Sequence, residues 1–515
     1  MLASSSLTTA LPTPWVSFPL AAITAVFLYA ILRVVYNVFF HPLRRFPGPR
    51  LMAASRLPYA LSKLRGDPTR SVKPLHDKYG PVVRTAPGQL SFITSQAWVD
   101  IYGPKQSDMR GNIPKAPSMY RKRNGNAASL ATAGDEDHRR LRRITAPAFS
   151  DKAIAQQEEY LQQYTSAFVA RLRALSSLSS SSSPPHVVDV VHWLNLLTTD
   201  IIGELAFGEN FGGLQNGAVH PWLRSVFASI KTITLVAELR RAFPWVAQLL
   251  LGPALRWRVR GAREQLVGFA DEAVRRRLAM GADTQRPDLM SYMLPHRGRD
   301  ISDDEIREAA VGLIVAGSET TATLLAGALY LLCRHPHVLA EAQRALRAEF
   351  RDPADLRLRA LQHCEYLHAV VQESFRLYPP APDGLVRRTT RRGAVVAGEA
   401  IPPHTYLAVN LWAAGRSETN FHRPGEFVPE RWLKSCPPEF ADDDRAVLKP
   451  FSMGPRDCVG KNLAWAEIRI VLANILWHFD MELLPESEGW MDGQRLFFLW
   501  EKPPLHIKFV PRKWE

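Results

Sequence analysis

Apolar residues are distributed along this chain in two ways. From Trp15 to Phe40 they are nearly continuous, broken by Pro19, Arg33 and Asn37. Farther on they recur at the spacing of helices with one buried face, with short extended runs between. The first pattern fits a bilayer, whose ~30 Å hydrocarbon core takes about 20 apolar residues as helix. Leu20 to Phe40 meets that length if Arg33 snorkels toward a headgroup. No charge precedes Arg33 and no A-x-A-like site follows the run, so an uncleaved anchor is expected and not a cleaved leader. Arg33, Arg44, Arg45 and Arg50 lie at its carboxyl end, which predicts one pass with the body cytosolic. Pro42, Pro47 and Pro49 then predict a stiff, extended connector. The expected division is an anchor over 1–40, a proline-rich connector over 41–50, and one body over 51–515.

Within the body, Pro81–Thr85 and Leu90–Ile93 read as strands joined at Pro87-Gly88, a hairpin. Leu175 to Pro185 is serine-rich with nothing to bury and reads as a surface loop. Ser302-Asp303-Asp304-Glu305 is a capping box. It opens a long apolar helix toward Arg334 that His335-Pro336 ends. A second helix covers Tyr366 to Leu377. A third begins after Gly460 and runs toward Trp477. Tyr406–Val409 is extended. The fold class is mainly α with small β-sheets (α+β).

The net charge is +14. That excess suits anionic partners such as a membrane surface or an acidic protein. The basic residues are scattered and carry no zinc-finger spacing or basic zipper, so no nucleic-acid partner is expected. The four cysteines form no C-x-x-C pair, so no structural zinc site is expected, and so sparse a set in so long a chain does not read as a disulfide framework. Free thiols suit a reducing compartment.

Phe451-Ser452-Met453-Gly454-Pro455-Arg456-Asp457-Cys458-Val459-Gly460 fits F-x-x-G-x-R-x-C-x-G. Five fixed residues make a chance match on the order of one in several million positions. The chemistry is coherent. A thiolate donates electron density to haem iron and favours O–O cleavage. Gly454 and Gly460 permit tight turns and close approach, loop N–H groups can bond the sulfur, and the following helix points its positive end at it. Arg456 can pair with a haem propionate.

This segment resembles the haem-binding signature of the cytochrome P-450 family, and further family motifs follow in order over nearly the whole chain. The resemblance implies the P-450 fold and haem b (iron protoporphyrin IX) with Cys458 as axial ligand and metal-binding residue. Ala316-Gly317-Ser318-Glu319-Thr320-Thr321 resembles the oxygen-binding motif. Small side chains at Ala316 and Gly317 let a cofactor or O₂ approach the helix. Thr320 lies four residues after Ala316, where its hydroxyl can bond that carbonyl and open the ladder. Thr320 and Glu319 are the catalytic pair, carrying protons inward.

Glu373-Ser374-Phe375-Arg376 resembles E-x-x-R, and Arg431 in Pro429-Glu430-Arg431-Trp432 would complete a structural Glu373-Arg376-Arg431 network. Residues at i and i+3 share a helix face, although the pattern alone is common on surface helices. His138 and Arg142 stand where relatives carry W-x-x-x-R and can reach a propionate. Arg387 matches another propionate-facing position, with Arg388 a near rival. Gly415 stands where relatives often have His. Asp383 departs from an apolar connector. It either turns to solvent or pairs with Arg387 or Arg388, or it accepts a hydrogen bond from a substrate hydroxyl or amine.

The resemblance implies a monooxygenase that inserts one oxygen of O₂ into an apolar small molecule. The likeness to fungal members of secondary metabolism points to a terpenoid or polyketide. No Rossmann fingerprint occurs, so electrons must come from a partner, an NADPH-dependent flavoprotein reductase on the same endoplasmic reticulum membrane. A haem-thiolate isomerase or dehydratase, needing no reductase, is the alternative. Such enzymes commonly lose the acid–threonine pair that this chain keeps.

Overall fold

The computed structural model describes residues 14–104, 113–117, 127–177, 187–218, 221–242, 252–280 and 288–512. Most of the serine-rich stretch read as a surface loop lies outside these residues. Its beginning does not, and Leu175 to Ser177 close the helix Asp151–Ser177 instead of opening a loop.

The apolar amino-terminal run forms the helix Pro14–Val35, continued by a wider turn over Tyr36–Phe40. Its described side chains stand exposed from Ile23 to Phe40, Asn37 being the main exception. The segment Ala21–Phe40 is long and apolar enough to cross a membrane. Asn37 is buried because it belongs to the body. Its amide donates to the Ala54 carbonyl (2.8 Å), and its own carbonyl accepts from Arg84 (3.0 Å). The boundary expected at residue 40 therefore cuts through a packed contact.

The connector is not extended. Pro42–Arg45 form a single 3₁₀ turn capped by the His41 ring, which accepts from Leu43 N–H (3.0 Å). Leu43 is fully buried, and Arg84 N–H donates to the Pro47 carbonyl (2.7 Å). Proline fixed φ as expected, but the apolar Leu43 and Phe46 between the prolines found a core to enter.

The predicted hairpin is present as Val82–Ala86 paired antiparallel with Gln89–Phe92. Gln89–Phe92 then runs parallel to Tyr406–Val409, which pairs with Arg387–Arg388 at the sheet edge. A three-stranded sheet joins Val187–Asp189, His506–Pro511 and Phe479–Leu483, bringing distant parts of the chain together.

Helices make the bulk. The long helix Asp303–Arg334 starts at the predicted capping box and ends before His335. It packs along Val190–Phe207. The close approach rests on Gly317, where an added β-carbon would stand 2.8 Å from Ile202. Thr198 ties the two helices by donating to the Ser318 carbonyl (2.8 Å). The helices Glu365–Leu377 and Lys461–His478 agree with their sequence bounds to within a residue, and both are largely buried.

Candidate active site

The loop before Lys461–His478 closes on its own backbone. Cys458 N–H donates to Phe451 carbonyl (2.9 Å), Asp457 N–H to Gly454 (3.1 Å) and Ser452 N–H to Lys449 (2.9 Å). Gly454 has φ +76°, and a β-carbon there would fall 2.1 Å from the Tyr102 carbonyl, so only glycine fits. Gly460 is different. Its φ is −86° and the nearest atom to an added β-carbon is 3.8 Å away, on Phe149. The turn does not demand glycine there, contrary to expectation; the room lies on the cavity side. Phe451 packs edge-on to Phe375 (5.2 Å) beside Trp465.

Cys458 opens on a cavity of about 300 Å³ whose other wall is the long helix. Protein surrounds the sulfur elsewhere, and this burial raises its thiol pKa. The Gly460 N–H, then Arg142 and Lys461, pull against that rise, while Asp457 adds to it. Of the expected residues, Ala316, Gly317, Thr320, Phe451, Arg456 and Gly460 also line the cavity. The Thr320 hydroxyl donates to the Ala316 carbonyl (2.6 Å), as the spacing predicted. The ladder is not opened, and the helix stays α from end to end.

Glu319 corrects the sequence reading. Its carboxylate turns from this cavity to a second one of about 440 Å³ on the other flank of the long helix. There it forms a buried ion pair with Lys502, which also donates to Thr323 (2.7 Å). Thr320 and Glu319 thus face different spaces.

Arg142 is also placed otherwise than expected. Its guanidinium donates to both the carbonyl and the carboxylate of Asp457 (2.8 Å each), bracing the cysteine loop, and it does not reach the cavity. Arg387 and Arg388 separate by strand alternation. Arg387 is buried, donating to the Ile113 carbonyl (3.3 Å), whereas Arg388 lies over the Tyr406 ring. Arg387 shares its side of the sheet with Lys115, through the Lys115–Arg387 bridge.

These placements test the fit of haem. A macrocycle needs a flat apolar slot, and apolar side chains dominate the lining. Its propionates need cations at one edge. Arg456 has one terminal nitrogen buried without a hydrogen-bond partner, the other donating to Ala133 (2.9 Å) and Asp135 (2.6 Å). Burial, then Arg456 and Arg387, push Lys115 down to about 7. Burial, then Arg456, Lys115 and Arg142, push His138 down to about 4. So many positive groups gathered with Asp135 as the one carboxylate opposing these shifts suit a dianionic edge. The residues fit the group.

Behind the loop, Glu373 holds both arginines. Arg376 donates twice (2.8 and 2.7 Å) and Arg431 once (3.1 Å), with all three side chains fully buried. Trp432 Nε1 and Val428 N–H complete the carboxylate's partners, and Asp443 takes Arg431. Gly415 gives its carbonyl to Arg376 (2.6 Å), and a β-carbon there would stand 2.5 Å from the Arg376 carbonyl. Asp383 is absent from the cavity wall and pairs with Lys63, neither of the arginines named for it.

Lys115, Asp443, Lys502 and Glu467 were not found by sequence reasoning. The first three carry no local pattern. Glu467 had a signal, a lone acid inside the apolar run Leu463 to Trp477. It lines the cavity beside Thr321.

The chain matches the family model described as Cytochrome P450 over residues 50–509. It is 40% identical over 488 residues to cytochrome P450 monooxygenase lcsI of Purpureocillium lilacinum, covering 94% of this chain and 92% of that one. It is 39% identical to averantin hydroxylase of Dothistroma septosporum, covering 96% and 92%. It is 40% identical to trichothecene C-4 hydroxylase of Trichoderma arundinaceum, covering 93% and 95%.

Proposed function

This chain belongs to the cytochrome P450 family and is a haem-thiolate monooxygenase of the fungal secondary-metabolism type, and from that premise we propose that Cys458 is its iron ligand. The observation that carries this assignment is the position of the Cys458 sulfur, on the cavity wall facing Thr320 and at the amino end of Lys461–His478. O₂, an organic substrate and a redox partner follow from the family; the source of electrons we assign to an NADPH-dependent flavoprotein reductase. We place the protein in the endoplasmic reticulum membrane, held by the apolar helix, with the body in the cytosol.

When bound, the haem supplies activation of O₂ for insertion of one atom into a C–H or C=C bond. The chain's own residues do the rest. The Gly460 N–H and the helix amino end favour the thiolate over the thiol. Arg456, His138, Arg387 and Lys115 would hold the two propionates. Arg142, through Asp457, keeps the loop from drifting. The Glu373 network fixes the helix and loop behind it. The apolar walls exclude water and select an apolar substrate, and Thr320 holds a hydroxyl where protons are needed. The hydroxylase names of two relatives support hydroxylation of a secondary metabolite, of terpenoid or polyketide type. An isomerase or dehydratase without a reductase is the less favoured reading.

The test is the reduced carbon-monoxide difference spectrum of Cys458→Ala beside Cys333→Ala, Cys364→Ala and Cys436→Ala. Loss of the thiolate Soret band in the first alone is expected. A normal band in Cys458→Ala would falsify the ligand assignment.

A further inference from the structure

The helix Leu57–Arg65 starts close to where the apolar amino-terminal run ends, because Asn37 holds the Ala54 carbonyl just before it. Leu57 and Leu61 stand exposed on one face of this helix. Arg65, one more turn along, continues the same stripe. It is exposed and opens on a cleft of about 490 Å³ that shares no wall residue with the Cys458 cavity. The stripe runs from apolar to cationic, the order in which a phospholipid runs from acyl chain to phosphate.

Three guanidiniums line the cleft, those of Arg65, Arg70 and Arg495. They come from separate elements. Leu496 N–H donates to the Gly66 carbonyl (2.7 Å), which brings the strand Arg495–Phe497 against the turn between Leu57–Arg65 and Pro68–Tyr79. Arg70 donates to the Met491 carbonyl (2.8 Å). Among the described residues none of the three forms an ion pair. Two carboxylates share the cleft and leave its balance positive. Asp67 accepts from the Ser71 hydroxyl (3.1 Å), and Asp492 is exposed.

Two further features favour an anion. The amino end of Pro68–Tyr79 lies at the cleft, and its N-cap Asp67 gives the first turn no side-chain cap. Such a helix end carries free N–H groups and partial positive charge. Gln494, also in the lining, is 2% exposed. Its Oε1 accepts from Tyr378, while its Nε2 is a buried donor with no hydrogen-bond partner. A buried donor left unmade is costly, and an acceptor oxygen in the cleft would satisfy it.

We propose that this cleft binds the phosphate of an anionic phospholipid, with the acyl chains laid along Leu57 and Leu61. Guanidinium forks match phosphate oxygens in pairs. The bilayer is the source, and not free phosphate, because an apolar stripe leads to the cleft and the apolar run of this chain ends beside it. The site is a headgroup contact additional to the amino-terminal helix. It rests on the anchor reading and is independent of the haem chemistry.

The experiment places the full-length protein in phosphatidylcholine nanodiscs that hold a small share of phosphatidic acid. Native mass spectrometry after transfer to detergent counts the lipids retained. Wild type is expected to keep phosphatidic acid in preference to phosphatidylcholine. In Arg65→Gln/Arg495→Gln, which changes exposed side chains, the preference falls by about 30-fold, roughly fivefold per guanidinium. An unchanged preference overturns the proposal. An equal loss in Lys73→Gln/Lys78→Gln, outside the cleft, overturns it in favour of general surface charge. Displacement of the lipid by an equal concentration of inorganic phosphate overturns it in favour of a soluble ligand. A wild type that does not enter the nanodisc overturns the anchor reading instead. If the double variant does not fold, Arg65→Gln alone decides, against an expected fall of roughly fivefold.

Discussion

Arg142 grips Asp457 at two points, the carbonyl and the carboxylate, each at 2.8 Å. Asp457 immediately precedes Cys458, so a residue of the helix Asp135–Thr145 fixes the loop that presents the sulfur. Both side chains are partly exposed, which screens the pair. Arg142→Ala is expected to cost about 1 kcal/mol and to speed haem dissociation, with Arg142→Lys intermediate. Transfer of haem to an apo-globin acceptor measures this. Equal release rates would remove Arg142 from the loop's support.

The Glu373 network predicts a pH dependence. Burial alone would raise the Glu373 carboxyl. Arg376, then Arg431 and the Val428 N–H, together outweigh it and hold the group below the ordinary carboxylate range. A carboxyl depressed in the folded state contributes stability that is present above its unfolded value of about 4.3 and lost as pH falls through the folded value. Wild type should therefore lose stability below that point. Glu373→Gln should be about 3–5 kcal/mol less stable at neutral pH and show a shallower acid limb. Denaturant unfolding across a pH series checks both.

Asp383 and Lys63 form a pair that is mostly buried. Burial works to lower the Lys63 ammonium, and Asp383 and Tyr59 more than reverse it. Asp383→Ala strands that ammonium and should cost about 3 kcal/mol or more. Because Asp383 does not line the cavity, the product pattern should not change. A changed regiochemistry would restore the substrate-contact reading.

Thr320→Ala keeps the haem and the helix, since Ala is a good helix former. It removes the hydroxyl bonded to Ala316, so peroxide per O₂ consumed should rise and product fall. Unchanged coupling would take Thr320 out of proton handling.

Truncation should be sensitive to where it is made. Deleting residues 1–35 removes exposed apolar helix and should shift the protein from membranes to the soluble fraction with haem retained. Deleting 1–40 also removes Asn37, on which Arg84 and Ala54 depend. It should lower stability by about 1–3 kcal/mol more, the cost of unsatisfied buried groups. Equal melting temperatures for the two truncations would refute the difference.

Much of this was legible in the sequence where chemistry and spacing are local. The cysteine loop, the capping box at Ser302, the Thr320–Ala316 bond and the i, i+3 geometry of Glu373 and Arg376 are all set within a few residues. What was misread depends on partners distant in the chain. Glu319 was assigned to the cavity because its neighbour Thr320 is there; consecutive helix positions diverge by about 100°, and Lys502 lies 183 residues away. Arg142 looked like a propionate ligand until Asp457, 315 residues on, claimed it. The connector prolines predicted stiffness correctly, but nothing in them told that Leu43 had a core to fill.

The pairing of Val187–Asp189 with His506–Pro511, and of Arg142 with Asp457, has a consequence for how the protein is made. The amino-terminal helix leaves the ribosome hundreds of residues before the segments that complete the sheet and the cysteine loop. Contacts of such sequence separation form late, since their loop-closure entropy must be met first. With that helix as the proposed anchor, membrane capture would come early and cofactor loading late. The apolar slot stays unfinished until residues 449–468, which supply one of its walls, have been made.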